Sequence, residues 1–277
     1  MNWTDLFTRP DDQLPEAQFQ GWFDRIAKQL LCQTTLYVNN QPHRLVEIEF
    51  YYYSKEHHPD IFAHRDPIQL ELGRWYFHRT EGTYRSGSFK GVDISFGDGT
   101  AHGGVLIRGI EKPDGELVDG PSLCVDHLLD CTGADDVAAL DRAINQRCAW
   151  ESGNPLRLEE TAIEDHEIHP SARVGLSLKR FKRAPNPPRF IIKPYRYLTE
   201  PNRTKKGRAY LILALHAQGK STDEIRELTG STRSTIQRYV DDFEMGRRQD
   251  SFDPYYGVEL KANLLCQLHG TWHNKYQ

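Results

Sequence analysis

The stretch "RLVEIEFYYY", residues Arg44 to Tyr53, decides how this chain is read. It alternates with the two-residue period of a strand. Val46, Ile48, Phe50 and Tyr52 share one face; Glu47, Glu49, Tyr51 and Tyr53 share the other. The first is an ordinary core face. The second carries two carboxylates about 7 Å apart, the Cα spacing of alternate strand residues. A solvated strand face accounts for an isolated Glu pair. Beside aromatic rings, however, a carboxylate is partly desolvated, which raises its pKa and suits it to act as a general base.

The surroundings of this strand indicate a mixed fold. Upstream, residues 16–32 place Phe19, Phe23, Ile26 and Leu30 at helical spacing. "TTLYV" and the turn Asn39-Asn40-Gln41-Pro42 make a hairpin with the opening stretch. Downstream, "RWYFHR", "VDISFG" and "GGVLIRGIE" read as strands, the first two joined by the Gly/Ser-rich "EGTYRSGSFKG". "LCVDHLLDCTG" and "DVAALDRAINQRCAW" turn helical, and "PPRFIIKPYRYLT" reads as another strand. The expected class is α+β: a curved, mostly antiparallel sheet with flanking helices, then a small all-α domain. The expected boundaries are 1–200, 201–250 and a tail at 251–277.

The 277 residues carry a net charge of -4, with 38% apolar and 11% aromatic content, enough for a buried core. That average hides a segregation of charge. Residues 111–167 hold fifteen acids against four Lys or Arg, whereas 179–208 hold eleven Lys or Arg against one acid, Glu200. The basic block, with Lys179, Arg180, Lys182 and Arg183 at its start, is the candidate phosphate-binding stretch. Five cysteines without a CxxC pair suggest reduced thiols. No signal peptide or membrane span is legible. The expectation is a soluble, cytoplasmic, nucleoid-associated protein without a membrane partner. His57, His58, Asp60 and His64 match no trusted metal spacing and read as a surface loop; no metal or cofactor is expected.

From Arg203 the pattern gives three helices. Ser221 or Thr222 caps the second and Gly230 ends it; Ser231 or Thr232 caps the third, which buries Ile236, Val240 and Phe243. Two short helices across a glycine make a helix-turn-helix, similar to the DNA-binding unit of resolvases and transposases. Arg233, Ser234, Thr235, Gln237 and Arg238 would face the major groove. A plain helical bundle could use the same caps.

Several stretches, in order, resemble the alkyladenine (3-methyladenine) DNA glycosylases. "RLVEIEFYYY" is similar to the family's "(I/V)VETEAY" strand, and "IAKQLLC" to the "LA..LLG" helix before it. His64 falls where the family has a histidine. "VDISF" is similar to its Asn-Ile-Ser strand, with Asp93 in the Asn place. "GGVLIRGIEK", "DGPSLCVDHL", "SARVGLS" and "PPRFIIKPYRY" continue the likeness, which spans about Gln18 to Leu198.

The resemblance implies roles. Glu49 would activate the water that attacks C1′ of a flipped nucleotide, and Arg108 would hold that water or carboxylate. Tyr51 and His64 would line the base pocket, with Phe89 a further aromatic candidate. Tyr84 or Arg85 would be the wedge that fills the vacated stack. A buried carboxylate also stabilises oxocarbenium character at the sugar. No lysine stands at the water-activating place, so a monofunctional enzyme leaving an abasic site is implied; Lys90 is the one candidate amine for lyase chemistry. Asp93 accepts hydrogen bonds and cannot donate when ionised. It favours a base with an exocyclic amino group, or else serves as a second catalytic acid. This departure points to double-stranded DNA carrying a non-standard base, such as a hypermodified phage base, and to repair or antiviral defence. Two other readings stay open: a ligand-sensing helix-turn-helix regulator without catalysis, and a nuclease using Glu47, Glu49, Asp93 and Lys90 around a metal.

Overall fold

The computed structural model describes residues 2–11, 15–181 and 187–277. The fold is α+β. In chain order the helices are α1 (Trp3–Phe7), α2 (Glu16–Cys32), α3 (Pro121–Thr132), α4 (Val137–Ile144), α5 (Pro187–Ile191), α6 (Arg208–Ala217), α7 (Thr222–Thr229), α8 (Arg233–Arg247) and α9 (Ala262–Tyr276). The strands are β1 (Thr34–Val38), β2 (Gln41–Ser54), β3 (His58–Pro59), β4 (Leu72–Phe77), β5 (Arg79–Thr80), β6 (Thr83–Tyr84), β7 (Val92–Phe96), β8 (His102–Glu111), β9 (Leu117–Asp119), β10 (Leu156–Glu160), β11 (His169–Ser171) and β12 (Arg196–Leu198). Among the described residues, no helix is long and apolar enough to cross a membrane.

Contacts divide the chain into residues 1–168 with 197–199, and residues 169–196 with 200–277. The first unit is built on an antiparallel sheet in the order β10-β1-β2-β8-β7-β4. Asn39 and Asn40 both take positive φ, 46° and 68°, the two-residue turn that matches the twist of a hairpin. Thr199 closes back on β2, its amide donating to Val46 O at 3.0 Å. The core face of β2 is covered by α2: Phe23 stacks on Phe50 with centroids 4.7 Å apart, and Trp22 meets Tyr52 edge-on at 5.4 Å. The helical spacing of Phe19, Phe23, Ile26 and Leu30 therefore buries all four. His58 and Asp60 are buried too, against the surface-loop expectation. The His58 ring lies tilted against Phe19 with centroids 4.6 Å apart, and its Nδ1 contacts Tyr52 O at 2.9 Å.

The pairing of β2 with β8 slips twice. Glu47 lies opposite Gly109, yet Ile48 lies opposite Ile107, so Arg108 is an extra residue on β8. One step earlier Val46 is the extra residue on β2, which restores the register. Such a bulge bends the strand and re-aims a side chain.

The second unit is helical apart from strand residues at its start. Its boundary lies before the expected residue 201, because two buried arginines knit 169–196 into it. Arg173 donates to Phe190 O at 2.9 Å; Arg196 donates to Ser171 Oγ at 3.2 Å and to the carbonyls of Lys206 and Gly207 at 3.1 Å. Arg196 is thus structural, although it belongs to the basic block read as phosphate-binding. "PPRFIIKPYRYLT" is also not one strand but α5 followed by β12. The prolines set φ for a first helical turn, and Pro194 ends the run. Residues 251–277 are no tail: α9 crosses α8 at backbone contact. A Cβ on Gly246 would lie 1.9 Å from Gln267 O, and one on Gly270 would lie 1.9 Å from Phe243 O.

Candidate active site

The site occupies the face of the first unit's sheet opposite α2. Directly opposed residues in an antiparallel pair share a face. Tyr76 of β4 opposes Asp93 of β7; Asp93 opposes Leu106 of β8; Leu106 opposes Glu49 of β2. The three polar members of this row come from three separate segments, and each is almost fully buried.

At one end Glu47, Glu49, Arg108 and Tyr51 form a cluster. Arg108 Nε lies 2.7 Å from Glu47 Oε1 and 3.3 Å from Glu49 Oε1. Tyr51 OH donates to Glu49 Oε2 at 2.8 Å. Glu49 has no solvent exposure (0%). Burial alone would lower the Arg108 pKa; the charges of Glu49 and Glu47 outweigh it and hold the guanidinium above its ordinary value. Breaking such a buried pair leaves a charge uncompensated, which costs about 3–5 kcal/mol. Tyr51 is hydrogen-bonded to Glu49 and half-buried.

At the other end Asp93 accepts from two donors. Its Oδ2 takes Gln69 Nε2 at 3.0 Å and its Oδ1 takes His78 Nε2 at 2.7 Å. The Gln69 amide has one available orientation, because its Oε1 accepts from Asp66 N at 3.3 Å in a capping box over Pro67–Leu70. Gly104, beside Asp93, is the only residue type that fits there: a Cβ would lie 2.5 Å from Asp93 Oδ2 and 2.6 Å from Gln69 Nε2. His64 and His78 stack edge-to-face with centroids 4.4 Å apart, and Tyr76 OH lies 3.3 Å from His64 Nδ1. Although His64 is exposed at its outer edge, packing desolvates its ring; this, with the nearby His78, pulls its pKa down to about 4. Burial and the Asp93 charge push the Tyr76 phenol above its usual value.

His78, Gln69 and Tyr76 were missed by sequence reading. The signal was available for Tyr76: aligning "RWYFHR" against "VDISF" as neighbours sets Tyr76 opposite Asp93. Gln69 lies in a connection, and nothing local marks it.

The loop residues differ from expectation. Phe89, expected in the base pocket, is 74% exposed at the end of the 3-10 turn Gly87–Phe89. Its Gly/Ser-rich loop lacks the apolar neighbours that would cover the ring. Tyr84, expected as a free wedge, is half-buried. Its OH donates to Asp141 Oδ2 at 2.5 Å, and Arg79 lies over its ring at 5.8 Å. Burial, then Asp141, pushes that phenol up to about 12. Arg85 is half-buried and donates from Nε to Thr80 Oγ1 at 3.2 Å. Lys90 is ion-paired with Asp126 of α3. Among the described residues, Glu47, Glu49 and Asp93 form no group whose donor atoms converge on one cation position.

In the second unit, Ser221 and Glu224 form a capping box at α7, Gly230 closes that helix with φ 65°, and Thr232 caps α8. Arg233, Ser234, Gln237 and Arg238 are exposed, and Thr235 is half-buried in the cap. Arg233 pairs with Asp223 at 2.6 Å and Gln237 donates to Asp241 at 2.8 Å. Lys179 and Arg180 are exposed, Lys179 at 3.8 Å from Glu259. Lys182 and Arg183 lie outside the described residues.

No family model matches the sequence. Over 195 residues it is 32% identical to "Uncharacterized protein L759" of Acanthamoeba polyphaga mimivirus; the match covers 62% of this chain and 87% of the viral one. At that identity and coverage, the chain belongs to the same family as the mimivirus protein L759.

Proposed function

We propose that the chain is a monofunctional DNA glycosylase that flips a modified base out of double-stranded DNA and hydrolyses its N-glycosidic bond. The observation that carries this reading is Glu49: fully buried, with one oxygen on Arg108 and the other on Tyr51. A carboxylate fixed in this way can take a proton from water and can stabilise positive charge developing on the sugar. The resemblance to the alkyladenine DNA glycosylases assigns the same role to Glu49. Asp93 lies across Leu106 on the same face and is fixed by Gln69 and His78, so its remaining lone pairs would read donors on the extruded base. That preference suits an amino-bearing, non-standard base, as in modified phage DNA, and a defence or repair role. Phe89 is the better wedge: it is exposed and apolar, whereas Tyr84 is tied to Asp141. Lys90, the candidate amine for lyase chemistry, is held in an ion pair with Asp126, in keeping with an abasic-site product.

The helices α7 and α8 would hold the enzyme on DNA and raise its effective concentration there. The test is abasic-site formation in modified DNA with EDTA present. A glycosylase works under those conditions; strand cleavage that stops in EDTA would instead mark a nuclease, and tight binding to one sequence without chemistry a regulator.

A further inference from the structure

Three soft donors outside the candidate active site converge on one point. His43 is the third residue of β2, while His127 and Cys131 stand four residues apart on one face of α3. His43 Nε2 and His127 Nε2 are 2.9 Å apart, Cys131 Sγ is 3.5 Å from His127 Nε2, and one donor atom of each residue lies within 4.8 Å of the others.

We propose that His43, His127 and Cys131 bind a zinc ion that fastens α3 to the β1–β2 hairpin. Tetrahedral zinc with ordinary Zn–N and Zn–S bonds separates two nitrogens by about 3.3 Å and a nitrogen from a sulfur by about 3.6 Å. The observed nitrogens need to open by a few tenths of an ångström, within reach of small ring rotations. His43 is pre-set as a ligand. Its Nδ1 lies 2.9 Å from Gln41 O, and a carbonyl can only accept, so the ring proton sits on Nδ1 and the Nε2 lone pair faces the cluster. The His2Cys set suits zinc and excludes the hard ions magnesium and calcium. His43 also lines a cavity of about 250 Å³ with Thr35, Glu111 and Lys112; three protein ligands would leave the fourth position of the ion to water. Lys112 lies nearby, its ammonium 2.7 Å from Glu116, so its charge is partly compensated. The ion would be structural. It holds the helix whose Ser122 Oγ donates to Gly87 O at 2.7 Å, in the loop that carries Phe89.

The test uses the full, untagged chain stripped of metal and titrated with zinc, then with cobalt(II) as a spectroscopic probe. One retained equivalent of zinc is expected. Cobalt should give the intense visible bands of a tetrahedral site and a sulfur-to-cobalt charge-transfer band that Cys131→Ser removes. His127→Gln should abolish stoichiometric retention. A wild-type cobalt spectrum that is weak and lacks charge transfer overturns the proposal, whatever the variants do. So does zinc retention equal in wild type and His127→Gln. The result does not depend on the role of Glu49, because metal content and spectra are read without any activity.

Discussion

Glu49 and Asp93 flank Leu106: the register sets Leu106 of β8 opposite Glu49 on one side and Asp93 on the other. With strands about 4.8 Å apart, the two acidic positions lie about 10 Å from one another across the sheet. The proposed division of labour follows from their partners. Glu49 faces a cation and a phenol, and Asp93 faces an amide and an imidazole. Asp93→Asn places an amide NH2 against either Gln69 Nε2 or His78 Nε2. It should lower kcat/KM for an amino-bearing base by about tenfold to a hundredfold, the cost of a mispaired buried polar group. Release rates on paired substrates with and without the amino group measure it; an unchanged ratio removes Asp93 from base selection.

Gly104→Ala should damage this site without touching either acid. Its methyl would lie within 2.6 Å of both Asp93 Oδ2 and Gln69 Nε2. Overpacking of this kind costs about 1–3 kcal/mol. Denaturant unfolding should show a loss in that range, together with reduced base release. A variant as stable as wild type would mean that the Asp93–Gln69 bond is looser than its 3.0 Å length implies.

Phe89→Ala should be silent in stability, within about 0.5 kcal/mol, as for an exposed residue without partners to lose. Stacking of an aromatic side chain on a base is worth about 1–3 kcal/mol. Flipping, followed by 2-aminopurine fluorescence opposite the target, should therefore weaken about tenfold. If Tyr84→Ala weakens flipping instead and Phe89→Ala does not, the wedge is Tyr84.

His269 offers a pH test in the second unit. Its imidazole is wholly buried beside Tyr210, and burial pulls its pKa down to about 3 from the ordinary value of 6.5. A histidine depressed on folding is neutral in the native state and protonated in the unfolded chain between those two values. The unfolded state then binds more protons, so stability falls as pH drops through 6.5 towards 3. At pH 5 the cost is roughly 2 kcal/mol. His269→Leu should flatten the decline between pH 7 and pH 5 by about that amount; an identical slope in both proteins refutes the assignment.

The alternation of "RLVEIEFYYY" made both faces of β2 legible, and the spacing of Phe19, Phe23, Ile26 and Leu30 gave the helix α2, which the structure lays on the core face alone. Helix caps were legible to within one residue, as Ser221 or Thr222 and Ser231 or Thr232, because capping is local chemistry; the structure uses Ser221 and Thr232. Strand partnership was not. Leu106 becomes the link between Glu49 and Asp93 only through register, and Arg108 reaches both glutamates from a bulge that no local pattern encodes. Gln69 acts from a connection fixed by its own cap. Gly246 and Gly270 read as ordinary glycines until two helices cross at their backbones. Charge counting misled at Arg196, since composition does not distinguish an arginine that binds phosphate from one that binds carbonyls.

The most direct measurement is mass spectrometry of free bases released from a panel of damaged and naturally modified DNAs, in EDTA, by wild type and Glu49→Gln. The account predicts that wild type releases a modified base and leaves an abasic site. It predicts that Glu49→Gln slows release at least about a hundredfold, the low end for a lost general base, with DNA binding unchanged. Release by Glu49→Gln at the wild-type rate, or no base released by wild type from any DNA in the panel, contradicts it.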